Sequence, residues 1–464
     1  MLSWAAMSRR LVLVAPPVYH ARTWWRGRAG TKAHLYSLAG FVRDLCDVDI
    51  VELDLDSQGQ GDDALPALAD HIGPEVGLVG ISCWTSLHYP GAVAVARRIR
   101  ELAPELPIVI GGHHPTSLPS DFTDAGLCDW VVVGDGEHPL RKLCEDWPAR
   151  PPRTEVLRGM AFMPPDPCHI DWEHYPSDGR ALWVTLTRGC PFQCSFCVEP
   201  ERGPARLAGY SVADALAVME GLARTHTGSV ICFTDPLFAA NRSWAEAFLA
   251  GLEERKLPLM FWAETRADLM TPAMLERFLR CDFKVDFGLE TGSATMVDRM
   301  RKAQNPAAYL RRSREMLTRA NAMNLHHDIY LLFNAPGETP ETAAETRSFV
   351  ESLDVGDVAC WVSSGTFFIL PGTESYRRMD ELHATWGTEI RHPRWWREDG
   401  EAYALATDVL PSHAWRGREG ELRDYLKWQN DLNLKWFRRY RPEVYEFRRR
   451  FFVGDAAPAQ RARR

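Results

Sequence analysis

Short runs of Val, Ile and Leu that alternate with helical stretches constrain the fold of this sequence most. In its first third these near-continuous apolar runs, separated by helices, imply a doubly wound parallel sheet of the α/β class. The ligand-binding edge of such a sheet lies at the carboxyl ends of its strands. The predicted strands are Leu11–Val14, Val48–Leu55, Val76–Ser82, Pro107–Gly112 and Asp129–Glu137, with helices around Leu35–Leu45 and Pro90–Leu102.

A second alternating series begins after residue 178. Its six strand–helix units predict a partial (β/α)6 barrel of the TIM type, with its active site at the C-terminal ends of the strands. The predicted strands are Trp183–Leu186, Ser229–Phe233, Leu259–Glu264, Val285–Gly288, Asp328–Phe333 and Gly365–Leu370, and the predicted helices are Ala213–Arg224, Trp244–Glu254, Pro272–Leu279, Ala307–Ala320 and Glu341–Leu353.

These series predict four segments. A Rossmann-like domain occupies residues 9–146, a proline-rich linker 147–178, the barrel 179–375, and a helical region rich in Trp and Arg 376–464. We expect the aromatic residues of this last region to pack on the barrel with the arginines in solvent. A lid that covers the substrate is the alternative.

Composition and charge narrow the class of partner. The chain of 464 residues is 45% hydrophobic and 25% charged, as folded proteins are. Its net charge of −8 gives no general electrostatic reason to bind nucleic acid or an anionic membrane, so the expected partners are small molecules. The apolar run after Arg9 and Arg10 is too short for a secretory or membrane segment. Eleven scattered cysteines argue against a disulfide framework and predict a cytoplasmic protein.

Three of the cysteines form one compact array. The segment TLTRGCPFQCSFCVEP places Cys190, Cys194 and Cys197 in a C-x3-C-x2-C spacing on a loop directly after a predicted strand. Thiolates are the ligands of iron–sulfur clusters, and this spacing lets one loop wrap a single [4Fe–4S] cubane with one iron left open. A structural zinc site is the alternative, but it usually needs four ligands in paired C-x2-C spacing, and no second pair follows.

The array and the motifs downstream of it resemble the radical S-adenosylmethionine (SAM) superfamily, in particular the branch with an N-terminal cobalamin-binding-type domain. The resemblance covers nearly all of residues 9–375. It implies an enzyme that cleaves SAM with an electron from the cluster and abstracts hydrogen through a 5′-deoxyadenosyl radical. The downstream motifs are FTDPLF at 233–238, AETRADL at 263–269, FGLETGS at 287–293, LFNAPGET at 332–339 and LPGTESY at 370–376.

The resemblance also implies roles for single residues. By position, Asp235 helps to hold the methionine amine of SAM, Arg266 pairs with its carboxylate, and Glu290 accepts from its ribose hydroxyls. Phe196 is the aromatic neighbour of the cysteines. Any of the three charged residues could instead form an ion pair that stabilises the barrel. The electron is expected from a donor of flavodoxin or ferredoxin type.

The N-terminal series resembles the domain that cradles cobalamin, yet its first loop lacks the D-x-H-x-x-G signature whose histidine ligates cobalt. Neither His20 nor His34 has the aspartate or glycine at the right offset. The same loop carries Trp24, Trp25, Arg26 and Arg28, bulky groups that would fill part of the corrin space. These departures favour an enzyme that works without cobalamin.

Two enzyme hypotheses therefore compete. The favoured one is a radical SAM enzyme that dehydrates or oxidises an amino sugar, similar to cobalamin-independent aminoglycoside dehydratases and dehydrogenases. The other is a cobalamin-dependent methyltransferase. A third hypothesis, a ligand-sensing module without catalysis, does not explain the intact cysteine array.

Four acidic residues are candidates to meet a cationic amino sugar. Glu199 and Glu201 follow the cysteine array directly, Glu338 lies at a strand end, and Asp328 lies on the same predicted strand. Carboxylates at such positions are often helix caps or surface charges, which is the structural alternative for each.

Overall fold

The computed structural model describes residues 10–17, 33–53, 61–147, 154–160, 162–172, 181–202, 207–353, 360–398 and 402–435. The loop residues His20 and Trp24 to Arg28 lie outside these ranges, as does the basic segment from Trp436 onward.

The N-terminal sheet is six-stranded and parallel, in the order β2-β1-β3-β4-β5-β6. The chain moves outward from β1 to β2 and then returns to the other side of β1, which creates a switch point between β1 and β3. Apolar clusters cover both faces, which explains the near-continuous apolar runs. The strands are β1 Arg10–Ala15, β2 Asp47–Glu52, β3 Val76–Ser82, β4 Ile108–Gly111, β5 Trp130–Val133 and β6 Glu155–Arg158, and the α-helices are Ala33–Val42, Tyr89–Leu102, His113–Ser117, Ser120–Thr123 and Glu137–Asp146.

Strand β6 lies inside the segment predicted as a linker. It pairs with β5 at the edge of the sheet, and three of its four residues are exposed. An edge strand with little burial carries no strong apolar pattern, so the prolines around it dominated the sequence pattern.

The second sheet contains six parallel strands in the order β14-β13-β12-β11-β10-β7, so that consecutive strands along its main series are neighbours. Within the described residues its two edge strands, β7 and β14, do not pair with each other, which makes it a partial barrel as predicted. The strands are β7 Ala181–Val184, β10 Val230–Phe233, β11 Met260–Thr265, β12 Phe283–Glu290, β13 His327–Phe333 and β14 Cys360–Thr366, and a short antiparallel pair, β8 Thr187–Arg188 and β9 Ala208–Gly209, follows β7.

The barrel helices begin where the sequence provides capping groups. The side chains of Ser211, Asn241, Thr271, Asn305 and Thr339 each accept a hydrogen bond from a backbone N–H of the first helical turn. Three of these helices also have proline at their first position, where its missing N–H costs nothing. The helices are Val212–Thr225, Arg242–Arg255, Pro272–Arg280, Ala294–Arg299, Pro306–Ala322 and Pro340–Glu351.

The last barrel strand differs from its prediction. The sequence placed it at Gly365–Leu370, but β14 runs over Cys360–Thr366. Small residues in the true strand gave a weak signal, whereas the apolar residues after it attracted the prediction. Phe367 and Ile369 instead pack with Trp395 and Trp396 in a separate cluster.

The C-terminal region packs on the barrel. Trp415 and Trp428 are buried in the main barrel core, which confirms the expected packing of aromatic residues for these two side chains. No helix in the described ranges is long and apolar enough to cross a membrane. The region contains helices Glu374–Arg377, Met379–Trp386, Ala402–Thr407 and Glu419–Lys435 and the antiparallel strands β15 Glu389–Ile390 and β16 Val409–Leu410.

Candidate active site

The loop that carries the three cysteines, residues 190–197 and hereafter the cluster loop, is fixed by the backbone around it. Cys194 is buried, and Cys190 and Cys197 are half-buried. The Ser195 N–H donates to the Met300 carbonyl at 2.9 Å, and the Ser195 carbonyl accepts from the Ser375 N–H at 2.8 Å. The loop is therefore attached to two separate segments of the barrel.

The three thiols suit a cluster better than a single ion. Burial raises the pKa of Cys190 and Cys194, and it raises the pKa of Cys197 to about 12, so each thiol must lose a proton when it binds iron. No three His, Cys, Asp or Glu side chains in the described ranges converge on one metal ion position. A cubane presents its irons at separate corners, so its thiolates need not converge on one point.

Asp235 lies beneath the start of the cluster loop. Its carboxylate accepts from the Leu186 and Thr187 N–H groups, each at 2.8 Å, and from the Thr187 hydroxyl at 2.5 Å. Burial raises the pKa of Asp235 to about 6 despite these bonds. Asp235 thus fixes the backbone that leads into the loop, and its contact with the methionine amine stays a prediction.

Arg266 lies at the end of β11 and faces the cluster loop. Its guanidinium is 3.7 Å from the Phe192 ring centroid and forms two hydrogen bonds with Asp268, at 2.9 and 3.0 Å. Its NH1 also donates to the Lys302 carbonyl at 2.8 Å. These contacts hold the guanidinium beside the cluster loop, and its pairing with the SAM carboxylate stays a prediction.

Glu290 ends β12 with a φ of 66°, in the left-handed region that residues other than glycine rarely adopt. Such conformations concentrate at functional sites, because the surrounding structure must enforce them. Its Oε1 accepts from Lys302 Nζ at 2.9 Å. Lys302 Nζ in turn lies 5.7 Å from the Phe196 ring centroid. The structure thus brings Phe196, Arg266 and Glu290 together around Lys302.

Sequence reasoning missed Lys302. It is 5% exposed, and although burial disfavours its ammonium, the Glu290 carboxylate raises its pKa above the usual value. Lys302 stands in no predicted motif, and its importance depends on contacts with residues distant in sequence. Its position shortly after the FGLETGS motif at 287–293 was the only signal that the sequence offered.

Of the four acidic residues predicted to meet substrate, the three with described side chains, Glu199, Asp328 and Glu338, have different contact partners. Glu199 lies in the 3-10 turn Glu199–Arg202 with Oε1 3.9 Å from His113 Nε2 of the N-terminal domain. Glu201 lies in the same turn, and its side chain lies outside the described part of the structure.

Glu338 contacts the C-terminal region. It is 5% exposed, and its carboxylate accepts from the Asn334 N–H at 2.8 Å and from the Tyr425 hydroxyl at 3.2 Å. Its backbone carbonyl accepts from Trp415 Nε1 at 3.1 Å. Burial raises the pKa of Glu338 to about 7. These contacts give Glu338 a structural role, and a role in substrate binding stays a prediction.

Asp328 belongs to a polar cluster on the concave inner face of the barrel. Its Oδ2 is 3.0 Å from the Nζ of Lys284 on the neighbouring strand β12. Lys284 also pairs with Asp286 of its own strand. Glu264 is in register with Asp286 and is accessible to solvent, although protein groups surround it on this concave face. Desolvation and the charge of Asp286 raise the pKa of Glu264 to about 7. The inner face therefore offers carboxyl and ammonium groups that can bind polar ligands.

The carboxyl-end edge of the N-terminal sheet contacts the strand that leads into the cluster loop. Arg188, in β8, lies 2.9 Å from both Asp135 Oδ1 in the loop after β5 and Glu137 Oε1 at the start of the next helix. Its guanidinium also stacks on Phe162 at 4.1 Å from the ring centroid. These contacts join the carboxyl-end edge of the N-terminal sheet to the segment two residues before Cys190.

An aromatic surface lies at the same edge. Trp84 follows β3 and is 40% exposed, with the His34 and His88 ring centroids 5.7 and 6.3 Å away. His34 Nε2 is 2.7 Å from the Ser82 hydroxyl, and His88 Nδ1 is 3.0 Å from the Thr85 hydroxyl. A flat, exposed, apolar group at this edge suits a large planar ligand such as a corrin.

Comparison with known families agrees with this arrangement. Residues 29–144 match the B12 binding domain family, and residues 184–350 match the Radical SAM superfamily. The chain therefore carries a Radical SAM domain that follows an N-terminal domain of the B12-binding type. A Radical SAM domain implies a [4Fe–4S] cluster and SAM as cofactors.

Three proteins show what the chain is similar to. An uncharacterized methyltransferase, PH0819, from Pyrococcus horikoshii is 25% identical over 375 residues, 75% of this chain and 78% of the relative. The anaerobic magnesium-protoporphyrin IX monomethyl ester cyclase of Rubrivivax gelatinosus is 22% identical over 75% of this chain and 67% of the relative. The structure of the radical SAM methyltransferase TsrM from Kitasatospora setae superposes with a TM-score of 0.68 at 17% identity, covering 90% of this chain and 89% of that one. The last likeness establishes the shared fold.

Proposed function

We propose that the chain is a cobalamin-dependent radical SAM methyltransferase that acts on a small molecule. The observation that carries this proposal is the contact between the carboxyl-end edge of the B12-type sheet and the strand that leads into the cluster loop, through Asp135, Glu137 and Arg188. A methyl group carried on one cofactor can reach a substrate activated by another only if the two cofactor sites open toward each other.

The residues of the barrel support the radical half of this function. Cys190, Cys194 and Cys197 hold the cluster, which when bound supplies the electron for SAM cleavage. Arg266 binds the carboxylate of SAM, and Glu290 binds its ribose. Asp235 fixes the backbone that leads into the cluster loop. A flavodoxin- or ferredoxin-type protein supplies the electron.

Relatives favour methyl transfer over the dehydration that the sequence alone favoured. PH0819 and TsrM are both named methyltransferases, and TsrM has been solved with cobalamin and a [4Fe-4S] cluster bound. The cyclase from Rubrivivax is a relative with a different reaction, so the test must separate methyl transfer from other radical chemistry. None of the three proteins described above is named as an aminoglycoside dehydratase.

The substrate is expected to be polar. Lys284 pairs with Asp286 and Asp328, and Glu264 lies on the neighbouring strand, so this cluster holds more acidic than basic side chains, which favours a substrate with a cationic group such as an amine. The amino sugars suggested by the sequence remain substrates to test first.

Cobalamin binding tests the proposal without knowledge of the substrate. Protein reconstituted with iron and sulfide is incubated with hydroxocobalamin, and the corrinoid retained through gel filtration is measured by absorbance. We expect retention by the wild type and by Trp84→Phe, and weakened retention by Trp84→Ala, because loss of an aromatic surface removes buried apolar area. Elution of all corrinoid as free ligand from the wild type would contradict the proposal.

A further inference from the structure

We infer that Lys302 is a positioning residue that couples the cluster loop to the SAM-binding residues of the barrel. This inference rests on the proposed function, and it assigns a role to a residue that no sequence motif contains. Lys302 does so through its side chain and through its backbone.

The side chain of Lys302 fixes Glu290. Their 2.9 Å contact is shielded from water, because the Lys302 and Glu290 side chains are only 6% and 15% exposed. Within the described ranges the other oxygen of Glu290, Oε2, makes no hydrogen bond, so it is available to accept from a ribose hydroxyl. The pair therefore orients one carboxylate oxygen and leaves the other for SAM.

Gly288 provides the space for this ion pair. A Cβ atom at Gly288 would lie 2.7 Å from Glu290 Oε1 and 3.4 Å from Lys302 Nζ. A side chain at this position in β12 would therefore displace the Glu290 carboxylate from the place where it meets Lys302.

The backbone around Lys302 links the other components. The Lys302 carbonyl accepts from Arg266 NH1 at 2.8 Å, and the Met300 carbonyl accepts from the Ser195 N–H at 2.9 Å. The Lys302 N–H donates to the Val297 carbonyl at 2.9 Å, which anchors the segment to the end of helix Ala294–Arg299. A single short segment thus holds the cluster loop, Arg266 and Glu290.

Two cation–aromatic contacts also join the cluster loop to Arg266 and Lys302. The cluster loop presents two aromatic rings to the barrel, and each lies near one cation: Phe192 near Arg266 and Phe196 near Lys302. Cation–aromatic contacts of this kind hold a side chain in place when both groups are shielded from water. Removal of the Lys302 charge should therefore loosen the SAM site without removing any ligand of the cluster.

The test compares Lys302→Met, Lys302→Arg and Gly288→Ala with the wild type, all reconstituted with iron and sulfide. We expect Lys302→Met to keep its iron content, to bind SAM about tenfold or more weakly, and to lose the change that SAM causes in the EPR spectrum of the reduced cluster. Lys302→Arg should restore part of the affinity, since it keeps the charge. Lys427→Met, at an exposed position on helix Glu419–Lys435, is the control and should match the wild type.

Gly288→Ala is the second variant because Lys302→Met could fail to assemble its cluster. It keeps the lysine but displaces the ion pair, so it should also weaken SAM binding. Wild-type affinity and an unchanged EPR response in Lys302→Met, or in Gly288→Ala if Lys302→Met holds no cluster, would overturn the inference. A wild-type protein with a full cluster that binds no SAM would instead overturn the proposed function.

Discussion

The three cysteines of the cluster loop carry the most specific claim at the scale of single residues. Replacing Cys190, Cys194 and Cys197 together with alanine should abolish the visible cluster absorption and SAM cleavage, because no other described cysteines share a loop with this spacing. Cys168→Ala, at an exposed cysteine outside the loop, is the control and should keep about four irons per chain. A cluster that persists in the triple variant would refute the assignment.

Arg266 should affect SAM more than the cluster. In Arg266→Lys the positive charge remains, but the paired hydrogen bonds with Asp268 and the contact with Phe192 are lost. We expect SAM affinity to fall about tenfold with iron content unchanged. Equilibrium binding of SAM measures this effect, and Arg98→Lys on the surface is the control. Equal affinity in both variants would show that Arg266 only stabilises the barrel.

Prediction at this scale succeeded where chemistry lies in a short segment. The cysteine spacing was sufficient to locate the cluster loop, because the three cysteines lie close together in the sequence. The role of Lys302 could not be predicted, because its contacts with Glu290, Arg266 and Phe196 form only when the strands assemble. Charge alone does not distinguish such a lysine from a surface lysine.

At the scale of elements, Glu338 joins the end of β13 to the C-terminal helix through Asn334 and Tyr425. Its pKa of about 7 lies above the ordinary value of 4.5, so the folded state favours the protonated form. The stability from this form is complete below about pH 4.5 and is lost as the pH rises through about 7.

Glu338→Gln should therefore be more stable than the wild type at about pH 8, by up to about 3 kcal/mol, and of similar stability at about pH 5. The amide can still accept from the Asn334 N–H and can donate to the Tyr425 oxygen. Denaturant unfolding at the two pH values measures the difference. A difference that does not change with pH would contradict the ionisation argument.

Strands with clear apolar runs were predicted well, and the others poorly. Four barrel strands lie where apolar runs predicted them, since packing against helices requires those runs, and β7 starts and ends two residues before its predicted bounds Trp183–Leu186. The sixth, β14, carries Ser363, Ser364 and Gly365 in its centre, and β6 is an edge strand with little burial. Neither sequence identifies a strand by itself, because each strand is defined by its pairing with a neighbour, β13 or β5.

At the scale of the whole molecule, Arg188 connects the two domains through Asp135 and Glu137. Arg188→Met would remove the guanidinium beside Glu137, which is only 1% exposed, and loss of one partner of a buried ion pair typically costs about 3–5 kcal/mol. We expect faster amide hydrogen exchange in the loop after β5, measured by mass spectrometry. Arg391→Met, at a more exposed ion pair, is the control. Unchanged exchange would show that the interface does not depend on Arg188.

The sequence favoured a reaction without cobalamin because it could not show how the two domains contact each other. A missing D-x-H-x-x-G signature and the bulk of Trp24–Arg28 were local observations, and that loop lies outside the described ranges. The relation between the two ligand-binding edges depends on contacts across domains, such as Arg188 with Glu137, that sequence periodicity does not reveal.

Nucleoside product analysis tests the central claim most directly. Reduced enzyme with a complete cluster is incubated with SAM, with and without bound cobalamin, and S-adenosylhomocysteine and 5′-deoxyadenosine are quantified. Methyl transfer predicts S-adenosylhomocysteine only when cobalamin is bound, in an amount at least equal to the cobalamin, and further turnover when a substrate such as an amino sugar is added. Substrate-dependent 5′-deoxyadenosine without cobalamin, and no S-adenosylhomocysteine in either case, would contradict the account.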